Sequence, residues 1–299
     1  RFFDAEALMD SLIGVAPYSM DLQSMKTDLV KVMHGEMAAV DYLSDVVREY
    51  PDAWELKLKL SQLLIDAGES TTARSLLIEI LEIKPELANA VSMLVWTYLD
   101  VDDVLQAHDV LENYLPAFPE DFFLHRLMGS ILHDIAVGYA DSLHYQAALD
   151  AQRAALKLRP TDQQTLHLIA NTLELFGRRE EVLETYLQLI EINGEDDLAL
   201  NNYAYLISEG DVSEDTLRHA AEFVERALVI QPDNAPYLDT AGWIYFKLGH
   251  VQLAREFIDR SLNINPDNAE VLMHMGDVLE YLGKSNEAYI YYMRADKLR

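Results

Sequence analysis

The chain has 299 residues, and 23 Lys+Arg against 51 Asp+Glu leave a formal charge of −28. That field repels nucleic acid and anionic membrane surfaces, and half the residues being hydrophobic argues for a packed protein over an acidic disordered tail. Cysteine is absent, which excludes disulfides, thiol nucleophiles and Cys-ligated zinc or iron–sulfur sites and fits an exported bacterial protein, and no apolar run reaches the roughly 18 residues that span a bilayer.

In chain order the sequence keeps a regular beat of about 34 residues. Pro17, Pro51, Pro85 and Pro119 carry it, Pro160 follows, Gly194 stands one beat later, and Pro232 and Pro266 resume it. Ala5, Ala39, Ala73, Ala107, Ala148, Ala220 and Ala254 each lie 12 residues ahead of one of these prolines, and Ala288 continues the series. The first residue is Arg1 and not Met, and Ala5 and Pro17 match the second helix of a preceding unit. Residues 1–19 are therefore expected to be either the tail of a partial repeat or an N-terminal capping helix. Between the marks, apolar residues recur at helical spacing, as in Leu60, Leu64, Leu76, Leu77, Ile80 and Leu81. Gly68, Gly177, Gly249 and Gly283 fall where a two-helix unit turns, and proline falls where it ends. Ser61, Gly129, Ala170, Ala204, Gly242 and Gly276 oppose the beat alanines, so two helices can approach closely.

The copy Leu238, Ala241-Gly242, Tyr245, Gly249, Ala254, Ile258 and Pro266 resembles the tetratricopeptide repeat, with Leu for its Trp and Ile for its Phe. Phasing on it divides the chain into 20–53, 54–87, 88–121, 122–162, 163–196, 197–234, 235–268 and 269–299. The first two units depart most from the scheme. Unit 122–162 carries seven extra residues near Asp134–Asp141, about one added turn on each helix. Unit 197–234 carries four extra near Val212–Asp215. The resemblance implies an all-α fold, a right-handed superhelical solenoid of antiparallel helix pairs whose first helices line a concave groove.

By phase, the groove-facing residues are Trp96, Arg126, His167, Asn171, Asn202, Tyr205, Asp239, Trp243 and Phe246. Large aromatics there suit protein recognition, and an amide such as Asn171 or Asn202 can pair with any peptide backbone. Some relatives clamp a C-terminal carboxylate with basic residues and asparagines. The corresponding places here are His167 and Asn171, then Asn202, then Pro236 and Thr240. The asparagines match and the cations do not, so a carboxylate clamp is not expected. The charge favours the opposite ligand, a segment bearing Lys or Arg. At the far end, Tyr289 and Tyr292 on the last helix are candidates for self-association through an unpolarised seam.

Catalytic signals are absent. His125 and His133, eight residues apart on one helix, stand about 12 Å apart, too far to share an ion. Asp211, Ser213, Asp215 and Glu222 have calcium-loop spacing, but Thr216 takes the place of the glycine that such a loop needs. Ser213 as a helix N-cap, with Glu214 and Asp215 in the first turn, explains the same letters. No nucleophile elbow, phosphate loop or dinucleotide fingerprint occurs. No enzyme activity, cofactor or metal is expected.

The sequence is thus expected to encode a protein-interaction scaffold or adaptor that binds a peptide or partner protein. The stretch from Asn201 to Asp277 resembles the ends of long bacterial repeat proteins, many of them exported or lipid-anchored. That favours envelope assembly or proteolysis, in the periplasm or on a lipid anchor, over the cytoplasm. The alternatives are a cytoplasmic co-chaperone or assembly scaffold, and a structural protein that self-associates through its end repeats.

Overall fold

The computed structural model describes residues 2–139 and 142–298. Among them every regular element is a helix, and the chain falls into two compact units, residues 1–159 and 160–299. The first unit holds α1 (Phe2–Val15), α2 (Met20–His34), α3 (Glu36–Glu49), α4 (Trp54–Asp66), α5 (Ser70–Ile83), α6 (Ala88–Leu99), α7 (Val104–Tyr114), a 3-10 turn (Leu115–Ala117), α8 (Phe122–Tyr139) and α9 (Ser142–Leu158). The second holds α10 (Gln163–Leu175), α11 (Arg179–Ile192), α12 (Asp197–Ser208), α13 (Glu214–Ile230), α14 (Ala235–Lys247), α15 (Val251–Ile264), α16 (Ala269–Tyr281) and α17 (Ser285–Asp296).

Each hairpin pairs an even-numbered helix with the next odd one. Even helices also touch even neighbours, as α2 with α4, α4 with α6, α12 with α14 and α14 with α16. The beat alanines explain the pairing. Ala39, Ala73, Ala107, Ala148, Ala220, Ala254 and Ala288 are all 0% exposed, because each lies where the first helix of its hairpin crosses. The opposing glycines are required by space. A Cβ on Gly242 would stand 2.5 Å from Ile258 Cγ1, and one on Gly276 would stand 2.2 Å from the Tyr292 ring.

The mid-hairpin turns use the left-handed backbone region. Gly68, Gly177, Gly249 and Gly283 have φ between 69° and 81°, which glycine adopts without steric cost. Asp102 stands one beat after Gly68 and takes φ 56° there despite its side chain. Both insertions are absorbed by helix and turn. Helices α8 and α9 have 18 and 17 residues, where α6 and α7 have 12 and 11; the last two residues of the inserted stretch, 140 and 141, lie outside the described residues. Ser213 caps α13, its hydroxyl accepting from the Thr216 amide at 3.2 Å.

A second series runs along the odd helices of the later unit. Arg226, Arg260 and Arg294 follow one another at the same beat, and each donates to a carbonyl of the turn before its own hairpin: Gly194 at 2.6 Å, Pro232 at 2.8 Å and Pro266 at 2.8 Å. Each guanidinium also lies over the ring three residues earlier, Phe223, Phe257 or Tyr291. These arginines tie one hairpin to the turn that precedes it.

Candidate functional site

Within the second unit, helices α10, α12, α14 and α16 present a row of polar and aromatic side chains. Their starts are fixed by side-chain caps. Asp162, Asp196, Asn234 and Asn268 each accept an amide hydrogen from their helix's first turn, satisfying donors that would otherwise be orphaned. His167 reinforces one of these caps, its Nε2 lying 2.8 Å from Asp196 Oδ2.

The centre of the row is a stack. His274 on α16 and Asp239 on α14 are both buried, with His274 Nδ1 at 2.9 and 3.1 Å from the two Asp239 oxygens. The Trp243 ring lies over His274, centroids 4.2 Å apart and planes 16° apart. Phe246 stacks with Trp243 at 5.5 Å, and Tyr281 meets Phe246 edge-on at 5.8 Å. Burial pulls the His274 pKa down. The hydrogen bond and charge of Asp239, with the charges of Glu270 and Asp277, more than offset this and raise it. Tyr205 on α12 reaches past α14, its hydroxyl donating to Glu270 Oε1 on α16 at 3.2 Å. Burial first, then the charges of Glu270 and Glu209, push the Tyr205 phenol up to about 12.

Beside this row lies a cleft of about 420 Å³ lined by Glu174, Gly177, Arg179, Val182, Asn202, Tyr205 and Leu206. The Tyr186 hydroxyl donates to Glu174 Oε1 at 2.9 Å and accepts from Asn202 Nδ2 at 3.0 Å. Burial, the largest influence, raises the Tyr186 pKa. Asn202 Oδ1 in turn accepts from Asn201 at 3.1 Å.

The residues that the repeat phase groups fall in both units. His167, Asn171, Asn202, Tyr205, Asp239, Trp243 and Phe246 lie in the second unit, whereas Trp96 and Arg126 lie in the first. Trp96 is 56% exposed on α6. The Arg126 guanidinium lies over the Phe122 and Phe123 rings at 5.4 and 5.7 Å. The two asparagines are not equivalent: Asn171 is exposed, and Asn202 is committed to Tyr186 and Asn201. Asp239 faces His274 and is largely shut off from solvent. Tyr292 is half-buried, fills the space over Gly276 and donates to Asp277 at 2.9 Å; Tyr289 is 63% exposed. Pro236 opens α14 and Thr240 is buried, so neither place offers a cation.

Among the described residues, His108, Asp109 and Glu112 on α7 bring ligand atoms within 4.8 Å of one another at the surface. No described helix is long and apolar enough to cross a membrane. Glu174, Tyr186, Glu270, His274 and Tyr281 were not legible as a group. A signal was available: His274 follows Asp239 by about one beat and Glu270 follows Tyr205 by about two.

The tetratricopeptide-repeat family model matches residues 235–268 and 269–299. No curated protein sequence matches the chain. Solved structures with the same fold include pilF of Pseudomonas aeruginosa, at 17% identity over 70% of this chain and 90% of that one, with a TM-score of 0.55. PilW, described as a widely conserved type IV pilus biogenesis factor, gives 17% identity, 69% and 90% coverage and 0.54. YrrB, described as a TPR protein with an unusual peptide-binding site, gives 20%, 66% and 95%, and 0.52. Residues 235–299 thus match the tetratricopeptide-repeat model directly, and the regular beat and paired helices carry the same fold along the described chain.

Proposed function

We propose that this protein is a non-catalytic interaction scaffold, and that the even-helix face of its second unit holds a peptide segment or an element of a partner protein. The observation that carries the reading is the row Trp243, Phe246 and Tyr281 set beside Tyr205, Glu270 and Asp239. Rigid aromatics supply contact area at low entropic cost, and the carboxylates around them favour a ligand with basic residues. The rings are already positioned by stacking, so little ordering remains for the binding step. The likeness in fold to YrrB, described as having a peptide-binding site, agrees with this reading. A role in envelope assembly or proteolysis, with the protein in the periplasm or lipid-anchored, is the setting we favour, and PilW, a pilus biogenesis factor of similar fold, is compatible with it.

The test is selection of random dodecapeptides on the whole chain, followed by the same selection on Trp243→Ala/Phe246→Ala after its helicity has been verified. Peptides retained by the native protein and lost by the folded variant support the reading. Selection of the same peptides by both, or of none by the native protein, overturns it.

A further inference from the structure

The stacked rings leave the neighbouring cleft unused. Its volume, about 420 Å³, exceeds that of any single side chain. Val182 and Leu206 give it apolar walls, and Tyr205 forms the side it shares with the aromatic row. Its carboxylate is Glu174. Tyr186 holds Glu174 Oε1 at 2.9 Å and is itself held by Asn202 at 3.0 Å, so two successive hydrogen bonds fix where this carboxylate points. Oε2 accepts no hydrogen bond among the described residues. Arg179 also lines the cleft; its guanidinium donates to the Leu206 carbonyl and forms no ion pair with Glu174 among the described residues.

The cleft thus combines an apolar wall with a carboxylate that is held in place at Oε1, is open to solvent and has no ion-pair partner among the described residues. An acidic side chain would be repelled, and an aliphatic one would cover Glu174 without satisfying it. A Lys or Arg side chain meets both demands, its methylene stem against Val182 and Leu206 and its charged head on Glu174. The surroundings agree: Glu209, Glu270 and Asp239 all act on Tyr205 at the cleft's edge.

We infer that this cleft is a specificity pocket for one Lys or Arg side chain of the bound segment, with Glu174 accepting its charge. The inference rests on the binding reading above and is tested so that the two can fail separately. The probes are the dodecapeptides selected on the native chain. Each of their basic residues is replaced in turn by norleucine, which keeps the length of a lysine stem without its charge. Affinities are measured on the native protein and on Glu174→Gln, whose amide oxygen still accepts the Tyr186 hydroxyl and so preserves the local fold. One norleucine peptide is expected to bind the native protein about tenfold more weakly, and to lose nothing further on Glu174→Gln. A norleucine penalty of equal size on both proteins, or peptides that depend on Trp243 but need no basic residue, overturns the pocket and leaves the binding face standing. Absence of any Trp243-dependent peptide overturns both.

Discussion

The two units are built on one beat and differ in what that beat carries. In the first unit, contacts between successive hairpins include Lys59 with Asp28 at 2.6 Å and Arg74, which donates to Thr97 and lies over the Tyr98 ring at 3.9 Å. In the second they use the enclosed Asp239–His274 pair, the Tyr205–Glu270 bond and the periodic arginines. Helix starts differ likewise. In the first unit Ser19 and Asp121 cap α2 and α8 while Ala53 and Leu87, which precede α4 and α6, offer no side-chain cap, whereas all four even helices of the second unit have one. In the second unit the same hairpin carries a row of stacked rings set on an enclosed ion pair. Pre-organisation, and not mere exposure of an aromatic, distinguishes Trp243 from Trp96.

The largest effect should come from removing half of the enclosed pair. His274→Phe leaves the Asp239 carboxylate buried without its partner and should cost about 3 kcal/mol in urea unfolding of the second unit. Arg48→Met, which breaks the exposed pair with Asp45 in the first, should cost about 1 kcal/mol or less. Similar losses would erase the contrast between the units.

Space gives the next test. Gly276→Ala sets a methyl group against the Tyr292 ring and should destabilise by about 1–3 kcal/mol; a neutral result would mean that the ring moves aside freely. Titration of His274 sharpens the picture. Its folded pKa is raised above the ordinary value of 6.5. Its contribution to stability should be fully present below pH 6.5 and should be lost as pH rises through the raised value. His274→Gln should flatten that dependence in the same unfolding experiment. Smaller effects concern caps and turns. Asn268→Ala should cost about 1 kcal/mol through the lost cap. Asp102→Gly should stabilise the first unit by roughly 0.5–1 kcal/mol by relieving a left-handed backbone.

Much of the fold was written in short-range marks. Alanine at the crossing, glycine in the turn and proline at the exit are each demanded by local geometry, so their period exposed the hairpins. The site was less legible. Phase identified Tyr205, Asp239 and Trp243 as facing residues but could not show that Asp239 would be taken by His274, or Asn202 by Tyr186. Such pairing depends on rotamers and on neighbours one or two repeats away. The arginines at 226, 260 and 294 were periodic in plain view; what they hold is backbone carbonyl, which has no sequence signature. Tyr292 has a role within the chain that its position at the chain's end did not reveal: its ring fills the space over Gly276.

The second unit's stacked face, and not the exposed Trp96, is the surface expected to receive the partner. Replacing the three tryptophans, Trp54, Trp96 and Trp243, with 5-fluorotryptophan gives each a separate fluorine resonance, assigned by single Trp→Phe variants. On titration with a selected dodecapeptide, the Trp243 resonance should shift in a saturable manner while that of Trp96 stays in place. Saturable binding that moves Trp96 and leaves Trp243 unchanged would contradict this placement.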